Sequence, residues 1–221
     1  MTSLRAAAPR RALAAAAVVL AAATTAAAMT ADADARRLPG GEVSRKLVDG
    51  TTVKARLYDE GVRYHPGNVA NIGTSREVWV SGKIVANVGG KSNAKGGNIY
   101  GGYVVGCQVN LIGVDSGNNS GNNYGYPTAT AGGTLHIGPG QAGWVPIIQT
   151  TSGSNASYTG YNVNTFTFRG HRGGIAFSQE GFRVNGCAGH ASARARFTIE
   201  VETETTRAQI VLWGKPFTLG G

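Results

Sequence analysis

The chain has 221 residues, with 21 Lys and Arg against 12 Asp and Glu, and a formal net charge of +9. Its basic residues are dispersed rather than run together, which argues against nucleic acid as a partner. No GxSxG, HExxH or Walker sequence occurs, and the histidines are isolated, so neither a catalytic nor a metal motif is present in the sequence.

Residues 1–35 read as an export signal and its cleavage region. Arg5, Arg10 and Arg11 form a basic start, and Ala12 to Ala23 is an unbroken Ala/Val/Leu run. Small-residue cleavage options come next at Ala26-Ala27-Ala28 and at Ala31-Asp32-Ala33. An alanine-dominated run of this length is a poor membrane span. Residues 36–221 then suit one domain able to bury a core.

Strands dominate the mature chain. Val53, Ala55 and Leu57 alternate with Thr52, Lys54, Arg56 and Tyr58, a period of two. Asn68 to Ser75 has room for one helical turn. Val78, Val80, Gly82, Ile84, Ala86 and Val88 alternate with Trp79, Ser81, Lys83 and Asn87. Near the end, Ala193, Ala195, Phe197, Ile199 and Val201 alternate with Arg194, Arg196, Thr198, Glu200 and Glu202, and Val211, Trp213 and Phe217 close the set. Each strand has one apolar and one wet face, so the fold class is all-β and the architecture a sandwich. Glu200, Glu202 and Glu204 share one strand face and would suit a cation or paired acids. Arg194 and Arg196 on the same face favour a solvated or cross-strand-paired surface instead. Gly138-Pro139-Gly140-Gln141-Ala142-Gly143 fits GxGxxG only by letter, because it opens no helix.

The middle of the chain is unusual. From Gly96 to Phe168, 73 residues hold a single formal charge, Asp115, together with 16 of the 34 glycines. Soluble surfaces mix charges of both signs. A stretch that avoids charge, yet is too rich in Gly, Asn and Thr for a core, fits a β-hairpin whose alternate residues face lipid and water. Its tip is Ser116 to Asn123, a Ser-Gly-Asn-Asn repeat without apolar residues. The ascending arm carries Tyr103, Val105, Cys107, Val109 and Leu111 on one face, and after Leu111 the phase slips to Ile112 and Val114. The descending arm sets Pro127, Ala129, Ala131, Leu135 and Ile137 against Thr128, Thr130, Thr134 and His136. Arms of about 10 residues match the length a tilted strand needs to cross a bilayer. An ordinary extended surface hairpin is the alternative.

Cys107 and Cys187 are the two cysteines. In an exported chain an even count favours a disulfide, with two buried thiols as the alternative. Zinc would need more ligands at short spacing than they supply.

Four ordered segments carry a resemblance. They are Leu-Val-Asp-Gly-Thr-Thr-Val from Leu47, Gly-Tyr-Val-Val-Gly-Cys-Gln-Val from Gly102, Cys-Ala-Gly-His-Ala-Ser-Ala-Arg-Ala-Arg from Cys187, and Leu-Trp-Gly-Lys-Pro-Phe-Thr-Leu-Gly from Leu212. Behind an export signal, they resemble the MspA-type porins of mycolic-acid-bearing actinobacteria, and more closely their cysteine-containing branch. The resemblance spans about Gly40 to Gly221. It implies a β-sandwich base that contributes one long hairpin to a shared transmembrane barrel, eight subunits making sixteen strands. It also implies a homo-oligomer in the outer membrane, contacting its lipid and passing small hydrophilic solutes and ions by passive diffusion, without enzymatic activity or cofactor.

Carried onto this chain, residues 108–137 fall at the barrel hairpin. The best-known members cluster aspartates at the constriction, whereas this chain offers only Asp115. The pore-lining candidates are Asp115, Asn118, Asn119, Asn122, Asn123, Thr128, Thr130, Thr134 and His136. For Asp115 a turn-capping role is the alternative, and for His136 a solvated surface position. The competing function is a secreted or surface-attached β-sandwich binding protein that never spans a membrane.

Overall fold

The computed structural model describes residues 35–65, 74–90, 93–109, 134–135, 137, 140–148 and 165–220. In chain order the strands are β1 (Ala35–Arg37), β2 (Gly41–Lys46), β3 (Thr52–His65), β4 (Arg76–Gly89), β5 (Ala94–Cys107) and β6 (Thr134–Leu135). They continue with β7 (Ala142–Pro146), β8 (Thr165–Arg169), β9 (Arg172–Val184), β10 (Ala191–Thr203), β11 (Arg207–Trp213) and β12 (Phe217–Thr218). Among the described residues there is no helix. The turn expected at Asn68–Ser75 lies outside them, apart from Thr74 and Ser75.

Two sheets form. The first runs β1-β3-β4-β9-β6, with β2 also on β3, and the second runs β11-β10-β5-β7, with β12 on β10 and β8 on β5. All pairings are antiparallel except β6 with β9. The alternating residues decide which face turns inward. Val53, Ala55 and Leu57 of β3, Val78 to Val88 of β4, and Ala193 to Val201 of β10 are all buried on one phase. Burying one face of each sheet leaves only a face-to-face sandwich. Across the sheets Phe182 meets Tyr103 and Phe177 meets Phe197, with ring centroids 6.0 and 5.8 Å apart, and within the second sheet Tyr103 also packs on Phe197 and Phe217. Burial of each such ring contributes about 1.5–3 kcal/mol.

The alternation fails at one place in β3, and the failure has a structural cause. Leu57 and Val62 are both buried although they are five positions apart, an odd step that regular alternation would send to opposite faces. A bulge takes up the difference: Tyr58 pairs with Lys83 and Gly61 with Ser81, so Asp59 and Glu60 oppose Gly82 alone. Asp59 takes a positive φ of 50°. Across β4, a second irregularity between Val80 and Gly82 places Gln179 at φ 56°. The first bulge turns Glu60 into the core, fully buried. There the Tyr103 hydroxyl donates to its Oε1 at 2.9 Å, joining the two sheets. Its Oε2 makes no hydrogen bond to protein. Gly214 leaves room for that atom, since a Cβ there would stand only 3.3 Å away.

Desolvation raises the Glu60 carboxyl from 4.5 to about 7, against the opposing pull of the Tyr103 hydrogen bond. An acid whose folded pKa is raised stabilises the fold in its neutral form. That contribution is complete below pH 4.5 and is lost as pH rises through about 7, a difference of about 3 kcal/mol. Thermal melts should therefore show higher stability at pH 5 than at pH 8. Glu60→Gln, neutral throughout, should flatten that dependence; an unchanged slope in the variant would assign it to other groups.

Candidate functional site

The end of the sandwich where β5 stops and β6 begins gathers the described ends of the segment expected to form a hairpin. Tyr103, Val105 and Cys107 point inward on alternate positions of β5 and are buried. Cys107 opposes Ala191 of β10, and it is bonded to Cys187, with 5.8 Å between the Cα atoms. The expected pairing of these cysteines is thus present. Around it the backbone is tied closely. The Gln108 amide donates to the His190 carbonyl at 2.9 Å, the Ala188 amide to that of Val109 at 2.9 Å, and the Cys187 amide to that of Thr74 at 2.8 Å. Gly140, on the returning side, donates to the Cys107 carbonyl at 3.2 Å.

The returning chain meets the other sheet. Thr134 and Leu135 pair in parallel with Arg183 and Val184, at the end of β9. Leu135 and Ile137 are fully buried in the sandwich core. Gly143 of β7 makes room for both, since a Cβ there would come within 2.6 Å of each side chain. Sequence alternation gave Leu135 and Ile137 a lipid-facing phase; the sandwich core claims them instead. Any span therefore ends before Leu135, while on the outgoing side Val109 is already 43% exposed.

Of the expected lining residues, Asp115, Asn118, Asn119, Asn122, Asn123, Thr128, Thr130 and His136 lie outside the described residues, and only the backbone of Thr134 is placed. Beside Thr134, Arg183 donates from Nε to Glu77 Oε2 at 3.0 Å. Desolvation pushes the Glu77 carboxyl up, but hydrogen bonds from Arg183 and Trp79 outweigh it and hold the carboxyl below its ordinary value. Ser75 donates to Asn185 at 2.7 Å, a further tie at the same end.

The three glutamates of β10 and its following turn sit at the opposite end. Glu200 accepts from Asn98 at 3.2 Å, Tyr100 at 3.3 Å and Gln209. The Gln209 bond, ahead of burial, holds its carboxyl low. Glu202 pairs with Lys95 at 3.6 Å and Glu204 accepts from Asn93 at 3.1 Å. No group of three or more His, Cys, Asp or Glu among the described residues is placed to hold a metal.

Two features escaped the sequence. Glu60 is an acid on a core phase, signalled only by the odd spacing from Leu57 to Val62. Trp79 stands on the polar phase of β4, a visible anomaly whose neighbours, Arg63 and Gly181, emerge only from the register.

These observations define the chain as an all-β sandwich from one end of which a long charge-poor segment leaves and returns. The MspA family model matches residues 49–218, and the chain belongs to that family, whose members are porin-type channels rather than enzymes. No curated protein matches it.

The disulfide closes a separation of 80 residues, for which the chain-entropy model gives about 4 kcal/mol. Replacing Cys107 and Cys187 together by serine should lower unfolding stability by about 2–4 kcal/mol in denaturant titrations. A loss below about 1 kcal/mol would show that the surrounding backbone bonds hold this end without it.

Proposed function

We propose that the chain is one subunit of a homo-oligomeric outer-membrane channel, through which small hydrophilic solutes and ions diffuse passively. The observation that carries this reading is that the chain leaves at Val109, tied to Ala188, and returns at Thr134, paired with Arg183, at one disulfide-tied end of the sandwich. A segment anchored so at both ends can leave the domain as a hairpin without disturbing its core. Its composition suits the task. Residues 110–133 hold one formal charge, Asp115, and alternate small or apolar side chains with Thr and Asn.

Such a hairpin cannot cross hydrocarbon alone. It would leave two strand edges of unpaired N–H and C=O groups, each costing several kcal/mol in lipid. Closing the barrel with further copies removes the edges, so the reading requires an oligomer; the number eight comes from the family resemblance. Residues 1–35 are assigned to the export signal and its cleavage region, with the cut before Ala35 so that β1 stays with the domain, and the destination to the mycolate outer membrane. The hairpin is assigned to Gln108 through Thr134, with Asp115, Asn118, Asn119, Asn122, Asn123, Thr128, Thr130 and Thr134 as its water-facing set. His136 falls just past the span, between the buried Leu135 and Ile137.

Selectivity depends on charge along the lumen. Each subunit offers one acid and no Lys or Arg between Gln108 and Thr134, so weak cation preference is expected. Planar-bilayer recording of the detergent-purified protein should give discrete conductance steps. Reversal potentials in a KCl gradient should show a modest cation preference that Asp115→Asn abolishes. Strong selectivity unchanged by the substitution would place the constriction elsewhere. Aqueous, monomeric protein without conductance would favour a secreted binding protein.

A further inference from the structure

We infer that the outer face of the first sheet, at the end where β5 stops at Cys107 and the chain returns at Thr134, docks on the anionic polar surface of the membrane that the hairpin enters. The inference rests on the pore reading above and extends it from the hairpin to the sandwich.

The register lays this face out in rows, because cross-strand partners share a face and successive rows are two residues apart. His65, Glu77 and Arg183 form the first row, with Arg183 beside Thr134. Ala35, Arg63, Trp79 and Gly181 form the second, and Arg37, Gly61 and Ser81 the third. At about 3.4 Å per residue, the second and third rows stand roughly 7 and 14 Å from the point where the chain returns. The polar layer of a bilayer adds roughly 5–7 Å beyond each side of its hydrocarbon core. A hairpin that enters lipid at its base therefore brings the first two rows to headgroup depth, and leaves the third, with Arg37, above it at about the reach of a long basic side chain.

The side chains on those rows suit that depth. Trp79 is 37% exposed on the polar phase of β4. Its ring lies over Gly181, where a Cβ would stand 3.3 Å from it, and stacks with His65 at 6.3 Å. An exposed tryptophan with an apolar body and one N–H belongs at an interface between lipid and water. Arg37 and Arg63 line one groove of about 350 Å³ together with Trp79 and Ser81, and Arg36, exposed on the edge strand opposite Val62, lines it from the other phase of β1.

None of these three arginines is in an ion pair among the described residues. The acids near them are engaged or set back. Glu77 is held by Arg183 at the end of β9, and Asp59 by Lys83 at 2.9 Å. Glu180 opposes Val80 at the bulge and is pushed towards its neutral form by burial. Asp49, Glu200, Glu202 and Glu204, by contrast, cluster where β10 ends and β3 begins, at the other end of the sandwich. The face that adjoins the hairpin end thus sets Arg37 and Arg63, outside any ion pair among the described residues, beside an exposed aromatic; Arg37 also feels the charge of Asp59, and a second arginine–tryptophan group, Arg194 and Arg196 over Trp213, lies on the other sheet. Guanidinium groups bind phosphate oxygens in a forked geometry, and anionic headgroups supply them.

The test uses the detergent-purified protein with bilayers and vesicles of pure phosphatidylcholine, or of phosphatidylcholine with about one third phosphatidylglycerol. Anionic lipid should raise both the frequency of channel insertion and vesicle co-flotation. The triple variant Arg36→Gln, Arg37→Gln, Arg63→Gln should lose that gain by about fivefold per arginine, with single-channel conductance unchanged. Trp79→Phe should remove the blue shift of tryptophan emission on vesicle binding, whereas Trp213→Phe should keep it. Lys54→Gln with Arg172→Gln, at the opposite end, should behave as wild type. An anionic-lipid gain that persists in the triple variant, or falls equally in the opposite-end variant, overturns the docking face. Absence of conductance from wild type in every bilayer rejects the pore reading instead. Flotation then decides the docking face by itself: retained binding in the triple variant overturns it, and lost binding upholds it.

Discussion

The Cys107–Cys187 bond joins the last residue of β5, in the second sheet, to the connection that leaves β9, in the first. Three residues before Cys187, Val184 pairs with Leu135 on the returning chain. One covalent link therefore fixes three things together: the end of the second sheet, the end of the first, and the places where the chain leaves at Val109 and returns at Thr134. Face-to-face sheets are held mainly by non-directional burial, which resists separation better than it resists sliding. Sliding at this end would move Val109 relative to Thr134. The disulfide and the amide bonds of Gln108, Cys187 and Ala188 around it oppose that motion directly.

A second device works at the middle of the same interface. The bulge at Asp59 and Glu60 sends a carboxyl across the core to Tyr103, so that a directional bond joins the sheets where only packing would otherwise act. Tyr103 is itself ringed by Phe182, Phe197 and Phe217, and these surroundings desolvate the carboxyl and favour its neutral form. Specific pairing is thereby obtained without burying a formal charge at acidic pH. The acid group costs stability only where it ionises.

The strands were legible in the sequence wherever one face is buried and the other wet. Val78 to Val88 and Ala193 to Val201 keep an unbroken period of two, because a single shift would exchange core and solvent faces along the whole strand. Legibility failed where that rule is interrupted or shared. The odd step from Leu57 to Val62 encodes a bulge, yet the same letters suit a strand end. Leu135 and Ile137 carry an alternation that serves a lipid face and a protein core equally well, and only the space left by Gly143 shows which was used. The disulfide partners came from counting, since two cysteines allow one pairing. The basic rows beside Trp79 could not be read at all, because Arg37, Arg63 and Trp79 are brought together by cross-strand register rather than by spacing.

The long charge gap now separates into parts with different causes. Its first part, Gly96 to Cys107, is the middle strand of the second sheet, flanked by β10 on one side and β7 and β8 on the other. Gly97 and Gly102 there lie so close to neighbouring backbone that no side chain fits, charged or not. Leu135, Ile137 and Trp144 to Ile148 are buried, so charge is excluded there by desolvation. Neither cause reaches residues 110–133, a run rich in Gly, Asn and Thr that would be soluble with charges and yet carries only Asp115. Burial in the sandwich thus accounts for the gap in Gly96–Cys107 and Trp144–Ile148, while residues 110–133 and 149–164 lie outside the described residues. Under the proposed pore reading, lipid on one face of the 110–133 run and water on the other would exclude charge from it by the same desolvation that acts in the core.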